Sequence, residues 1–221
     1  MIRVGGLQPL TTIDFPGRLA AVLFLQGCPW RCSYCHNPGL IPARGEALVE
    51  WAAVEVFLQR RRGLLDGVVF SGGEPTLQPG LQAAVDAVRG HGFATALHTG
   101  GMYPARLGRL LPQLDWVGLD IKALPGCYPA VTGRRAGVDA VWDSLDRLLA
   151  SGVDHECRTT WHPALYPEQD LHALGRELAR RGVQRWVVQE CRLDPARHGP
   201  WTAPDLAMRT DRPRRFELRR A

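Results

Sequence analysis

The chain has 221 residues, 45% hydrophobic and 22% charged, which is ordinary for a globular protein and enough for one large domain. Its apolar runs stay at strand length, short of the roughly 20 residues of a membrane span, and Met1-Ile2-Arg3-Val4-Gly5-Gly6 lacks a leader's apolar stretch. Six cysteines, three of them clustered, fit a reducing cytosol and a metal site better than a disulfide framework, so a cytoplasmic protein with no membrane partner is expected.

The net charge of +5 does not call for a nucleic-acid partner. From Arg192 to Ala221 eight arginines face four acids, while the rest carries 19 basic and 18 acidic groups. The body is nearly neutral and the basic character belongs to the tail. Of the 27 basic residues, 26 are arginine; the single lysine is Lys122.

Taken in order, residues 1–18 hold Thr12-Ile13-Asp14-Phe15-Pro16-Gly17, which reads as turn chemistry. Residues 20–25 read as a first strand. It runs into a loop, Gly27 to Pro38, that carries Cys28, Cys32 and Cys35 in C-x3-C-x2-C spacing. A helix is expected over 46–62, with Leu48, Ala52 and Val56 on its apolar side and Gly63 as its stop. A strand at 68–70 leads into Gly72-Gly73-Glu74-Pro75. A helix over 79–91 and a strand at 93–97 lead to His98-Thr99-Gly100-Gly101. After a short helix at 104–111 comes a strand at 116–121, which ends in Asp120-Ile121 and runs into Lys122. A helix over 138–150 presents Val138, Val141, Leu145 and Leu148 on one face. A strand at 156–160 contains Arg158, a helix over 168–181 presents Leu171, Leu174 and Leu178, and a last strand covers 186–189.

Six alternations of strand and helix demand a parallel sheet. Six units are fewer than the eight of a closed barrel, so the expected fold is α/β, an open partial (β/α)6 barrel of the TIM type. Residues 1–191 would form that domain. Residues 192–221, rich in proline and arginine, would be an extension, extended and in part disordered.

In such a barrel the strand ends face one cavity. Cys28, Cys32, Cys35, Gly72, Gly73, Glu74, His98, Thr99, Asp120, Lys122, Arg158 and Gln189 all follow or end strands and could share its rim. Three thiolates can converge on a metal centre. A structural zinc wants four ligands, and His36, adjacent to Cys35, points the wrong way in an extended segment. An iron–sulfur cluster held by three cysteines would keep one iron open to a small molecule. A glycine pair admits a ligand close to the backbone, and Glu74 or neighbouring carbonyls can accept hydrogen bonds from an ammonium. Asp120 and Lys122, two apart, face the same side of a strand, a costly placement unless something is bound there.

The cysteine spacing, together with Gly72-Gly73-Glu74-Pro75, resembles the radical S-adenosylmethionine superfamily. Thr12 to Gly17, Cys35-His36-Asn37-Pro38, Gly72 to Gln78, Asp120-Ile121-Lys122 and Arg158-Thr159-Thr160 are similar to its glycyl-radical enzyme activases. The resemblance, over residues 7–191, implies that Cys28, Cys32 and Cys35 hold a [4Fe–4S] cluster. The fourth iron would bind the amino and carboxylate groups of S-adenosylmethionine, and an electron from the cluster would cleave it to a 5′-deoxyadenosyl radical. It further implies that Gly72-Gly73-Glu74 holds the methionine amino group, that Lys122 and Arg158 reach the cofactor's polar groups, and that Tyr34 flanks the adenine. Thr99 would help shape a small cation site, with His98 standing where relatives carry Asp. The implied reaction is hydrogen abstraction from a glycine of anaerobic ribonucleoside-triphosphate reductase, with flavodoxin or ferredoxin as electron donor. A radical enzyme acting on a small molecule, such as a 7-carboxy-7-deazaguanine synthase, is the alternative, and a zinc-stabilised nucleic-acid-binding module the remote one. Cys127, Cys157 and Cys191 read as ordinary small residues.

Overall fold

The computed structural model describes residues 2–45, 48–134, 137–206 and 212–220. Among these residues eight strands form one sheet in chain order: β1 (Val4–Thr11), β2 (Ala20–Leu25), β3 (Gly67–Gly72), β4 (Ala94–Thr99), β5 (Trp116–Asp120), β6 (His155–Trp161), β7 (Arg185–Glu190) and β8 (Arg215–Arg219). From β2 to β8 every pairing is parallel, and β1 runs antiparallel to β2. Among the described residues β1 and β8 do not pair, so the sheet stays unclosed. The expected open barrel is present, extended by one strand at each edge.

The central strands are near-continuous apolar runs because both faces are covered. Ala20, Ala21, Val22 and Leu23 of β2 are all buried, as are Val68, Val69 and Phe70 of β3. The helices α1 (Trp51–Arg61), α2 (Leu81–Gly90), α3 (Pro104–Leu110), α5 (Val138–Ser151) and α6 (Glu168–Arg180) follow successive strands, with the short α4 (Tyr128–Thr132) between β5 and α5. Leu81, Ala84, Val85 and Val88 of α2 are buried at helical spacing, as are Val141, Leu145 and Leu148 of α5 and Leu171, Leu174 and Leu178 of α6. In α1 the buried stripe is Val54 and Leu58 instead, and Leu48 and Val56 are exposed. The expected start of that helix, at residue 46, lies outside the described residues. The apolar residues of 48–58 outnumber what one face can hold, so their spacing did not single out the inward face.

A second, smaller core joins Phe15 to Ala20, Val22, Val69, Ala96 and Trp116. Val69 and Ser71 alternate on one face of β3, and Ala96 and His98 on one face of β4. Phe15 therefore plugs the inner face of the sheet, and the turn expected at 12–17 forms its floor.

The described part of the C-terminal stretch includes a short helix, Pro195–His198, and a strand, and it is bound to the fold. Leu206 is buried in the main core, Trp201 donates its indole N–H to the Trp161 carbonyl at 3.0 Å, and β8 pairs with β7 from Arg185 to Gln189. Phe216 packs on Trp186 with ring centroids 5.6 Å apart. Buried Glu156 of β6 meets Arg185 at 3.2 Å and Arg219 at 3.4 Å, tying three strands together by charge.

Candidate active site

The cysteine loop leaves β2 at the carboxyl end of the sheet and is fixed by its backbone. Gly27 N–H donates to the Leu40 carbonyl at 2.7 Å and Cys28 N–H to that of Ile41 at 3.0 Å. Arg31 and Ser33 donate to the Thr132 and Val131 carbonyls of α4 at 2.9 and 3.2 Å. Cys28, Cys32 and Cys35 are free, half-buried thiols on the wall of one cavity of about 430 Å³, with Tyr34 between them. Burial pushes the Cys28 thiol up to about 11 and raises that of Cys32 as well, so loading with iron must release protons. Among the described residues no three His, Cys, Asp or Glu groups lie close enough to hold a single metal ion. A multi-iron cluster has ligands on different irons and asks for wider spacing, which a triad around one cavity fits.

Gly72, Gly73 and Glu74 form the adjoining wall. Gly72 has φ +113°, and a Cβ on Gly73 would sit 2.3 Å from the Gly27 carbonyl oxygen. Only glycine lets β3 end this close to the cysteine loop. Glu74 is 1% exposed. Its Oε1 accepts from Thr76 N–H at 3.0 Å and from the Thr99 hydroxyl at 2.7 Å, as well as from the Thr76 hydroxyl. Its Oε2 accepts from Gly100 N–H at 2.8 Å, its one partner among the described residues, and has capacity for a further donor. Burial raises its pKa, and the hydrogen bonds from Thr76, Thr99 and Gly100 pull the other way.

The third wall comes from β5 to β7. Asp120 ends β5 beside Arg158 of β6. Its Oδ1 accepts from Arg158 Nε at 3.0 Å and its Oδ2 from Lys122 Nζ at 3.3 Å. Lys122 Nζ also lies 5.7 Å from the Trp30 ring centre and 5.6 Å from that of Tyr34. Burial opposes the charges, but Arg158 and Lys122 more than offset it and hold Asp120 below the usual carboxylate range. For Lys122 likewise burial is outweighed, by Tyr34 and Asp120, and its ammonium is held well above the ordinary lysine value. Gln189 of β7 also borders the cavity. Among the described residues the buried Tyr34 hydroxyl has no hydrogen-bond partner.

Two expected contributors do not border the cavity. Thr99 donates to Glu74 and accepts from Gly101 N–H at 3.0 Å, so it holds the carboxylate from behind. His98 turns to the floor, with Nε2 2.9 Å from the Asp14 carbonyl, Nδ1 3.4 Å from the Ser71 hydroxyl and its ring edge-on to Trp116. Burial, then the Arg158 charge, lowers its pKa to about 3, and the neutral ring donates from Nε2. Cys127, Cys157 and Cys191 stand outside the cavity, the last two buried in the core. The cavity also takes in Ile13, Thr160 and Arg219. Thr160 was readable as the residue alternating with Arg158 on β6; Ile13 and Arg219 sit in stretches that read as a turn and a tail.

Residues 22–174 match the model of the radical SAM superfamily. A protein of Methanocaldococcus jannaschii named as a glycyl-radical enzyme activating enzyme is 29% identical over 182 residues, covering 78% of this chain and 74% of its own length. The pyruvate formate-lyase-activating enzyme of Clostridium pasteurianum is 34% identical over 158 residues, covering 67% and 65%. The chain thus spans about two-thirds to three-quarters of these two relatives. Among solved structures, QueE from Escherichia coli superposes with a TM-score of 0.61 over 89% of this chain and 86% of its own, at 19% identity, which speaks for the fold alone.

Proposed function

We propose, from the premise that this chain belongs to the radical SAM superfamily, that it is the activating enzyme of a glycyl-radical protein, with anaerobic ribonucleoside-triphosphate reductase as the partner. Its cofactors are a [4Fe–4S] cluster and S-adenosylmethionine, which together supply, when bound, a primary carbon radical able to take a hydrogen atom.

The observation that carries the reading is the convergence of three free thiols, a glycine-lined backbone wall and the Asp120–Arg158–Lys122 group on one cavity at the strand ends. Cys28, Cys32 and Cys35 would hold the cluster. Glu74 Oε2 and the Gly72-Gly73 backbone suit an ammonium, and Arg158 and Lys122 suit carboxylate and ribose oxygens. The buried Tyr34 hydroxyl and the Trp30 ring would exclude water from that side. The names of the two relatives support a protein substrate, and the unclosed sheet leaves room for a polypeptide loop. A flavodoxin or ferredoxin in the cytoplasm would deliver the electron.

The test is anaerobic reconstitution, then reduction with S-adenosylmethionine and the candidate reductase while 5′-deoxyadenosine and the paramagnetic resonance spectrum are followed. A stable glycyl-type signal, absent with Cys32→Ala, supports the reading. Deoxyadenosine without a protein radical, but with turnover of a small molecule, would replace the protein substrate. Zinc uptake without cleavage would overturn the radical chemistry.

A further inference from the structure

Lys122 is the side chain on which the third wall of the cavity depends, yet it lies two residues beyond the last residue of β5, where the strand ladder has run out. Ile121 still has strand partners: its N–H donates to the Arg158 carbonyl at 2.9 Å, and its carbonyl accepts the Thr159 hydroxyl at 2.7 Å. Among the described residues no backbone group bonds the Lys122 peptide. Two tyrosines take that place. Lys122 N–H donates to the Tyr128 hydroxyl oxygen at 3.1 Å, and the Tyr166 hydroxyl donates to the Lys122 carbonyl at 3.1 Å. Both tyrosines are buried, at 0% and 4% exposure, so no water can substitute for either hydroxyl without a rearrangement.

The two anchors are themselves held. Tyr128 opens α4, whose last carbonyls, of Val131 and Thr132, accept from Ser33 and Arg31 in the cysteine loop. Its ring packs edge-on against Trp30 at 5.8 Å, the ring over which Lys122 Nζ lies. One five-residue helix therefore fixes the Lys122 backbone and the cysteine loop together. The Tyr166 carbonyl accepts the buried Trp161 indole N–H at 3.1 Å.

We propose that Tyr128 and Tyr166 are positioning residues that set the Lys122 ammonium against the cofactor cavity in register with the cysteine loop. The proposal rests on the reading of that cavity as the S-adenosylmethionine site. Phenylalanine fills either position as well as tyrosine and removes only the hydroxyl. The Lys122 peptide then loses a buried hydrogen bond, and the backbone that carries its ammonium toward Asp120, Trp30 and Tyr34 is held on one side only.

The test measures the dissociation constant for S-adenosylmethionine by anaerobic equilibrium dialysis on reconstituted protein, alongside iron content and thermal midpoint. Tyr128→Phe and Tyr166→Phe should each keep full iron content and weaken binding about tenfold. In a Lys122→Ala background the same substitutions should add less than about twofold, because they act through Lys122. Phenylalanine variants that bind as wild type does would overturn the proposal, and so would penalties that persist undiminished in the Lys122→Ala background, which a merely structural role gives. Wild-type protein that holds iron but fails to bind S-adenosylmethionine would overturn the cavity assignment itself, and the proposal with it. Tyr166→Phe lies outside α4 and separates a local fault in that helix from loss of the clamp.

Discussion

Glu74 fastens the end of β3 to the loop after β4 through donors on Thr76, Thr99 and Gly100. Glutamine there keeps the shape but turns one acceptor into an NH₂ group facing a buried donor. Glu74→Gln should cost about 1–3 kcal/mol, read as a lower urea midpoint of the iron-free protein; an unchanged midpoint would deny the carboxylate its bracing role. His98 makes a prediction in pH. Its pKa falls from 6.5 to about 3 on folding, so below pH 6.5 the unfolded chain takes up a proton that the folded one refuses. The stability His98 contributes is fully present above pH 6.5 and is lost as pH falls toward 3. Between pH 6.5 and 4 the wild type should lose stability more steeply than His98→Gln, and parallel curves would clear His98 of the effect. Sequence marked both residues through their glycine neighbours and strand-end positions. It could not tell which groups those side chains face, since that depends on Thr99 arriving from β4 and Asp14 from the turn at 12–17.

The six inner strands were legible as elements because a strand buried on both faces is an unbroken apolar run. The two outer ones were not. β1 contains Gly5, Gly6 and Pro9, the punctuation of a turn, and an antiparallel edge tolerates them. β8 alternates Arg215, Glu217 and Arg219, which reads as solvated tail until the buried Glu156 is seen across the sheet. That carboxylate is 1% exposed, whereas Arg185 and Arg219 are 34% and 32% exposed. Glu156→Ala should therefore cost about 1–3 kcal/mol, below the ~3–5 kcal/mol of a wholly buried pair. The loss should concentrate in β8: amide exchange at 215–219 should speed up more than anywhere in β2 to β5. Uniform acceleration would mean that the glutamate serves the whole sheet instead.

At the scale of the molecule, the cavity is built on a scaffold that does not need its cofactor. The cysteine loop hangs on backbone hydrogen bonds to Leu40, Ile41, Val131 and Thr132, and Cys28 and Cys32 pack only at the margin of the main core. Removing iron by oxidation and chelation should leave the far-ultraviolet dichroism unchanged and raise protease sensitivity only within 28–42; a collapse of the dichroism would show that the metal organises the sheet. Strand-end position is what made the cavity readable from sequence, because a parallel sheet brings those ends together whatever the loops do. Tyr128 and Tyr166 escaped that logic: neither ends a strand, and each matters through a hydroxyl on a peptide group.

The lone lysine also makes the chain a recorder of its own opening. A lysine-specific endoprotease has one bond to cut, between Lys122 and Ala123, and the cut parts the half bearing Cys28, Cys32, Cys35 and Glu74 from the half bearing Arg158 and β8. The carbonyl of that bond accepts the buried Tyr166 hydroxyl just beyond the end of β5, so the rate at which two fragments of similar size accumulate on a gel counts the excursions that expose this strand end.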